Sequence, residues 1–102
     1  MTPANTPAAP NLSRIKARIE SAHPAKAFAD KWELSLVITQ TVSLDGPDFV
    51  SRYLGSVVDG FTFNPTVQLD TGTVIDAEAS YIGGPHSGLF HLSSITISSF
   101  AT

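Results

Sequence analysis

The sequence predicts an α+β domain: N-terminal helices followed by a curved antiparallel sheet of four to five strands, with one helix inserted after the first strand. Three observations lead there. Apolar residues recur at three and four positions between Leu12 and Ala22, polar and apolar residues alternate from Trp32 to Leu44, and short alternating runs separated by turn residues fill the rest of the chain.

The opening decapeptide carries Pro3, Pro7 and Pro10 among Thr, Ala and Asn, so residues 1–10 read as a disordered tail. Leu12, Ile15, Ile19 and Ala22 then place a short amphipathic helix over 12–22, with Asn11 or Ser13 as its N-cap. His23-Pro24 interrupts it, and Pro24 opens a second short helix through Lys31. In WELSLVITQTVSL the even positions Trp32, Leu34, Leu36, Ile38, Val42 and Leu44 are apolar, which is the mark of a long half-buried strand. Asp45-Gly46-Pro47 turns the chain. Asp48 is placed to cap a helix that gathers Phe49, Tyr53, Leu54, Val57 and Val58 on one face, although Gly55 weakens it by about 1 kcal/mol.

After that helix Phe61 and Phe63 alternate, Asn64-Pro65 turns, and Val67 and Leu69 alternate again. Asp70-Thr71-Gly72-Thr73 reads as a hairpin loop leading into a strand over 74–82. GGPHSG, residues 83–88, is a loop. The last strand, 89–100, changes phase between Phe90/Leu92 and Ile95/Ile97, and a bulge at Ser93-Ser94 accommodates the change. The order of elements resembles that of cone-shaped NTF2-like folds, and this resemblance of topology implies a pocket between helices and sheet.

Charge divides the chain in two. Up to Lys31 there are five basic residues (Arg14, Lys16, Arg18, Lys26, Lys31) against Glu20 and Asp30, a net +3. Beyond it only Arg52 faces seven carboxylates, a net −6, which gives the −3 of the whole. The organisation expected is therefore the tail 1–10, a basic helical arm 11–31 and an acidic β-rich globular domain 32–102. With 102 residues the chain is long enough for one core, and with no cysteine it has no thiol nucleophile, thiolate zinc site or iron–sulfur cluster. The first ten residues have neither a basic nor an apolar leader segment, and no stretch approaches membrane-spanning length. A soluble intracellular protein without membrane attachment is expected.

Each candidate chemical motif competes with a plain structural role. His86 and His91 with Asp76 or Glu78 supply enough ligands for a metal, but their spacing matches no motif, so no metal is assigned. Asp76 and Glu78 share a face with Ser80 and read as the solvated side of a strand rather than an acid–base pair. Ser87 beside His86 lacks the strand–turn–helix context of a nucleophile, and the glycine loop lacks the lysine and following helix of a phosphate cradle. Trp32 and Tyr53 read as packing residues. No catalytic residue and no cofactor is implied.

Two functions follow. The favoured one is a non-enzymatic protein-binding or assembly module of accessory, inhibitor or viral structural type, self-associating or bound to an acidic protein through Arg14, Lys16 and Arg18 with the apolar Ile15 and Ile19. Nucleic acid is disfavoured as a partner, because three cations bind it weakly and a −6 body repels it. The alternative is a ligand-binding or enzymatic pocket on the cone-shaped sheet, with Asp76, Glu78, Tyr81 and His91 converging near Phe61, Phe63 or Phe90.

Overall fold

The most cationic stretch of the chain forms one wall of a barrel. In the computed structural model, which describes residues 10–83 and 89–98, Leu12–Pro24 is strand β1 and not a helix. Its inward side chains are Ser13, Ile15, Ala17 and Ile19, all buried, and between them Arg14, Lys16, Arg18 and Glu20 point out. Small or polar residues at inward positions conceal this period of two. Ile15 and Ile19, four apart, satisfy a helical period and a strand period equally.

Four more strands follow: β2 (Lys31–Asp45), β3 (Val57–Phe63), β4 (Val74–Tyr81) and β5 (Leu89–Ile97). They close in the order β1-β2-β3-β5-β4, with β4 returning to β1. Every neighbouring pair is antiparallel except β3 and β5, which run parallel through Asp59↔Leu89, Gly60↔Phe90 and Phe61↔His91. The α+β expectation with its helical arm over 11–31 is thereby corrected to a barrel of mixed strands. The NTF2-like cone falls with it, since among the described residues there are no helices to cover a sheet.

The other two expected helices are corrected as well. Residues 25–30 form a tight connection between β1 and β2, closed by Ala25 N–H donating to the Lys31 carbonyl and Lys31 N–H to that of Phe28. The helix expected after Asp48 shrinks to one 3-10 turn, Ser51–Tyr53. Its cap position is Val50 and not Asp48, whose Oδ1 accepts from the N–H groups of Val50 and Ser51, both at 3.1 Å, in the turn that leads in. The Ser51 hydroxyl adds a bond to Oδ2, and this bond first, then those N–H groups, hold the Asp48 carboxyl below its ordinary range. Gly55 at φ +81° then turns the chain into β3, so Val57 and Val58 are strand residues on opposite faces.

The alternation read in β2 holds for its first half, with Leu34, Leu36 and Ile38 in the core. It fails beyond the register shift opposite Lys16, where Val42 and Leu44 are 63% and 46% exposed. The bulge expected in the last strand is present: Ser94 takes φ +52°, the pairing with β4 slips between Asp76 and Glu78, and Phe90, Leu92 and Ile95 all stay inside. Asp70–Thr73 is a turn that enters β4, though not a hairpin, because β3 and β4 are not neighbours.

The interior is one cluster, with Phe90, Ile15, Ile19, Leu36, Ile38, Ile75 and Leu92 fully enclosed. Val50 is buried, and Tyr53 packs edge-on against Phe90 at 5.6 Å, so the segment joining β2 to β3 plugs one mouth of the barrel. Asn11 fastens the same mouth by accepting from the Tyr81 N–H at 2.8 Å and donating to the Tyr81 carbonyl at 3.0 Å. Residues 1–9 of the expected tail, residues 84–88 with His86, and residues 99–102 lie outside the described residues.

Leu36 is fully enclosed, so Leu36→Ala is expected to cost about 2–4 kcal/mol in chemical denaturation. A loss below about 1 kcal/mol would place Leu36 outside the core.

Candidate functional site

The outer face of β2, β3 and β5 carries aromatic rings where a barrel wall is ordinarily polar. On β3 the inward positions are Val58, Gly60 and Thr62, which leaves Phe61 and Phe63 facing out. Gly60 permits a close approach there: a Cβ would sit 3.3 Å from both Leu92 Cδ1 and the Phe90 carbonyl oxygen, so any side chain needs those atoms to give by a few tenths of an ångström. Thr62 donates its hydroxyl to the Leu92 carbonyl at 2.8 Å and ties the same two strands inside the barrel.

Close approach of β3 and β5 brings their outward side chains together. Phe61 stacks on His91 with centroids 5.1 Å apart and planes 27° off parallel, and Phe63 stands edge-on to Phe61 at 5.7 Å. From β2, opposite Phe63 in the register, Lys31 sets its ammonium 4.8 Å from the Phe61 centroid and 5.6 Å from that of Phe28. Such cation–π contacts hold the charge over the rings without removing it from water. Phe28, on the β1–β2 connection, and Phe63 remain 59% and 49% exposed, a large apolar exposure for two rings in one patch.

A groove of about 360 Å³ runs beside the rings, lined by Ser21 and His23 of β1, Lys31, Glu33 and Ser35 of β2, and Asp59, Phe61 and Leu89. His23 Nε2 lies 3.2 Å from Glu33 Oε1. The slip between Ile19 and Ser21 in the β1–β2 register turns Ser21 and His23 outward toward this groove. One lysine faces two carboxylates here, so with His23 neutral the groove carries a net −1. Its recognition chemistry is ring faces with hydrogen-bonding groups between them.

The residues singled out in the sequence are distributed elsewhere. Ile15 and Ile19 are core residues of β1. Arg14 pairs with Glu78 at 3.5 Å, Lys16 with Asp76 at 3.2 Å and Arg18 with Glu20 at 2.9 Å, so the cations of the N-terminal third meet acids from β4 and from their own strand. Lys16 also donates to the Ser98 hydroxyl at 3.0 Å. These pairs are exposed or half-exposed and each contributes little stability. Asp76, Glu78, Tyr81 and His91 are not brought together. The two acids lie on the outer side of β4, Tyr81 stacks at the plugged mouth against Phe49 at 5.0 Å, and His91 joins Phe61. A hydrogen bond with the Tyr53 hydroxyl, and then burial, raise the Tyr81 phenol above its ordinary value. Trp32 is partly buried against the core.

Nothing local in the sequence groups Lys31 and Phe28 with Phe61 and Phe63. The Phe61/Phe63 alternation is visible there, but which side faces out is decided by Gly60 and Thr62, the inward residues that flank Phe61. Among the described residues no group of three or more His, Cys, Asp or Glu could hold a metal, and no helix is long and apolar enough to cross a membrane. Compared with known proteins, the chain matches no family model, no curated protein and no solved structure.

Gly60→Val should test how the site is built. Overpacking at this contact is expected to cost roughly 1–3 kcal/mol and to separate Phe61 from His91, read as loss of the ring-current shift on the His91 protons. A variant with unchanged stability and unchanged shifts would show that β3 and β5 do not meet at Gly60.

Proposed function

We propose that this protein is a non-enzymatic binding module that holds a single-stranded nucleic acid on the β2–β3 face, chiefly by stacking bases on Phe63, Phe28 and the Phe61–His91 pair. The observation that carries this reading is the convergence of those rings around Lys31. The strand order supports it. Five-stranded barrels of the oligonucleotide/oligosaccharide-binding type share this closure, and they take their ligands on the face of strands 2 and 3 beside the loops joining strands 1–2 and 4–5. This is an analogy of topology, and the ring positions are the specific support.

Electrostatics shape the reading. Along the sequence, the unequal charge of the two chain segments counts against nucleic acid. Arg14, Lys16 and Arg18 are paired to neighbouring acids, so they offer a ligand little free charge and the molecule keeps its net −3. The groove itself offers only Lys31, with Lys26 on the adjoining connection. Stacking contributes about 1–3 kcal/mol per base and is tolerant of sequence, whereas two lysines give a salt slope of only about −1.4 on a single strand. Stacking therefore dominates.

Glu33 and Asp59 beside the rings favour a second reading, a neutral oligosaccharide, because carboxylates accept from sugar hydroxyls. The pocket built from Asp76, Glu78, Tyr81 and His91 has no such support, since the two acids pair with Lys16 and Arg14, Tyr81 stacks on Phe49 and His91 stacks on Phe61.

Fluorescence anisotropy with a labelled oligonucleotide of about 12 nucleotides tests the proposal. Binding to the single strand and not to its duplex is expected, with a shallow salt dependence. Phe63→Ala should weaken it roughly 5- to 100-fold, the equivalent of one stacked base, while leaving the fold intact because Phe63 faces out. Absence of binding at low salt would overturn the proposal. Binding that ignores salt entirely and is competed by neutral glycans would favour the oligosaccharide.

A further inference from the structure

The second strand runs past the barrel with one edge open. β1 pairs with β2 from Trp32 to Asp45, but β3 pairs with it only from Lys31 to Val37. One further bond, from Gly55 N–H to the Ile38 carbonyl at 2.8 Å, ends the contact on that side. From Thr39 to Leu44 the edge facing away from β1 meets no strand among the described residues. In the following segment Val50 is buried and Tyr53 packs on Phe90, while Thr39, Gln40, Val42, Ser43 and Leu44 stay exposed.

Open edges present rows of N–H and C=O groups, and proteins ordinarily blunt them with charge, proline or a bulge. The middle of this edge carries none of these. Thr39, Gln40, Thr41, Val42, Ser43 and Leu44 carry no charge and no proline, and the two irregularities, the slips at Thr39 and at Leu44, lie at its ends and leave 40–43 regular. Exposed apolar side chains accompany it, with Val42 and Leu44 on the strand, Leu54 46% exposed just after the plug and Val57 61% exposed at the head of β3.

We propose that this edge is an assembly surface whose occupant is a second copy of the chain, paired antiparallel to it across a two-fold axis through Val42. An antiparallel edge is its own complement under a two-fold axis, so one patch supplies both halves of the contact. In that register the two Val42 side chains lie side by side, Leu44 faces Gln40 of the other copy and Asp45 faces Thr39, with Cβ atoms about 4.5–5.5 Å apart. No like charges oppose each other. Pairing also leaves the aromatic wall of β3 and β5 free, because the edge belongs to the other end of β2.

Native mass measurement across a concentration series, joined to amide hydrogen exchange, tests this pairing. A dimer is expected, with the amides of 39–44 exchanging at least tenfold more slowly in the dimer than in the dilute monomer. Val42→Lys with Leu44→Lys places charges at the seam on outward positions and should weaken the dimer at least tenfold. A chain that stays monomeric at every concentration overturns the proposal, as does a dimer whose 39–44 amides gain no protection or which tolerates both lysines. If the double variant does not fold, the exchange measurement on the unaltered protein still separates the two outcomes.

Discussion

The parallel contact between β3 and β5 is the constraint on which the rest of the structure depends. It is short, with three residue pairs centred on Gly60↔Phe90, and it closes a sheet that would otherwise have two open ends. Closure lets Phe90, Leu92 and Leu36 meet in one interior, and it sets Phe61 against His91 on the outside. A single position therefore links core and wall. Glycine at 60 sets the distance between the strands, and the distance between the strands sets the ring stack.

The arrangement also explains where charge goes. β1 lies between β2 and β4, so its outward cations fall beside the outward acids of β4, Arg14 by Glu78 and Lys16 by Asp76. Charges distant in sequence become neighbours across a strand spacing of about 4.8 Å. Part of what reads along the chain as a basic third and an acidic remainder is, in space, a ladder of ion pairs between β1 and β4. The patch with unusual composition is the aromatic wall, whose members come from β2, β3, β5 and the first connection.

Much of the sheet is legible in the sequence, and the failures have a common cause. β2 and the bulged β5 are readable because large apolar residues alternate with polar ones over their core-facing parts, and β4 because Asp76, Glu78 and Ser80 alternate with Ile75, Ala77 and Ala79. β1 is not, because its inward positions include Ser13 and Ala17, and its two isoleucines are spaced by four. The stronger clue is the outward set: charges at 14, 16, 18 and 20 occupy every second position, which a helix would scatter around its circumference. Asp48 does bond the backbone ahead of it, but the cap position falls at Val50, and Gly55 and the start of β3 leave room for a single turn. The wall is hidden for a related reason. Phe61 and Phe63 look like core residues until Gly60 and Thr62 are seen to take the inside, and that follows from pairing with β5, not from local pattern.

Backbone NMR tests the closed barrel most directly. Closure requires inter-strand proton contacts between residues 59–61 and 89–91 in the staggered pattern of a parallel pair, together with antiparallel contacts from Ile15 to both Thr41 and Ala77. Sequential amide–amide contacts running through 12–22, or absence of any contact between Gly60 and Phe90, would contradict it, since the first marks a helix and the second an open sheet.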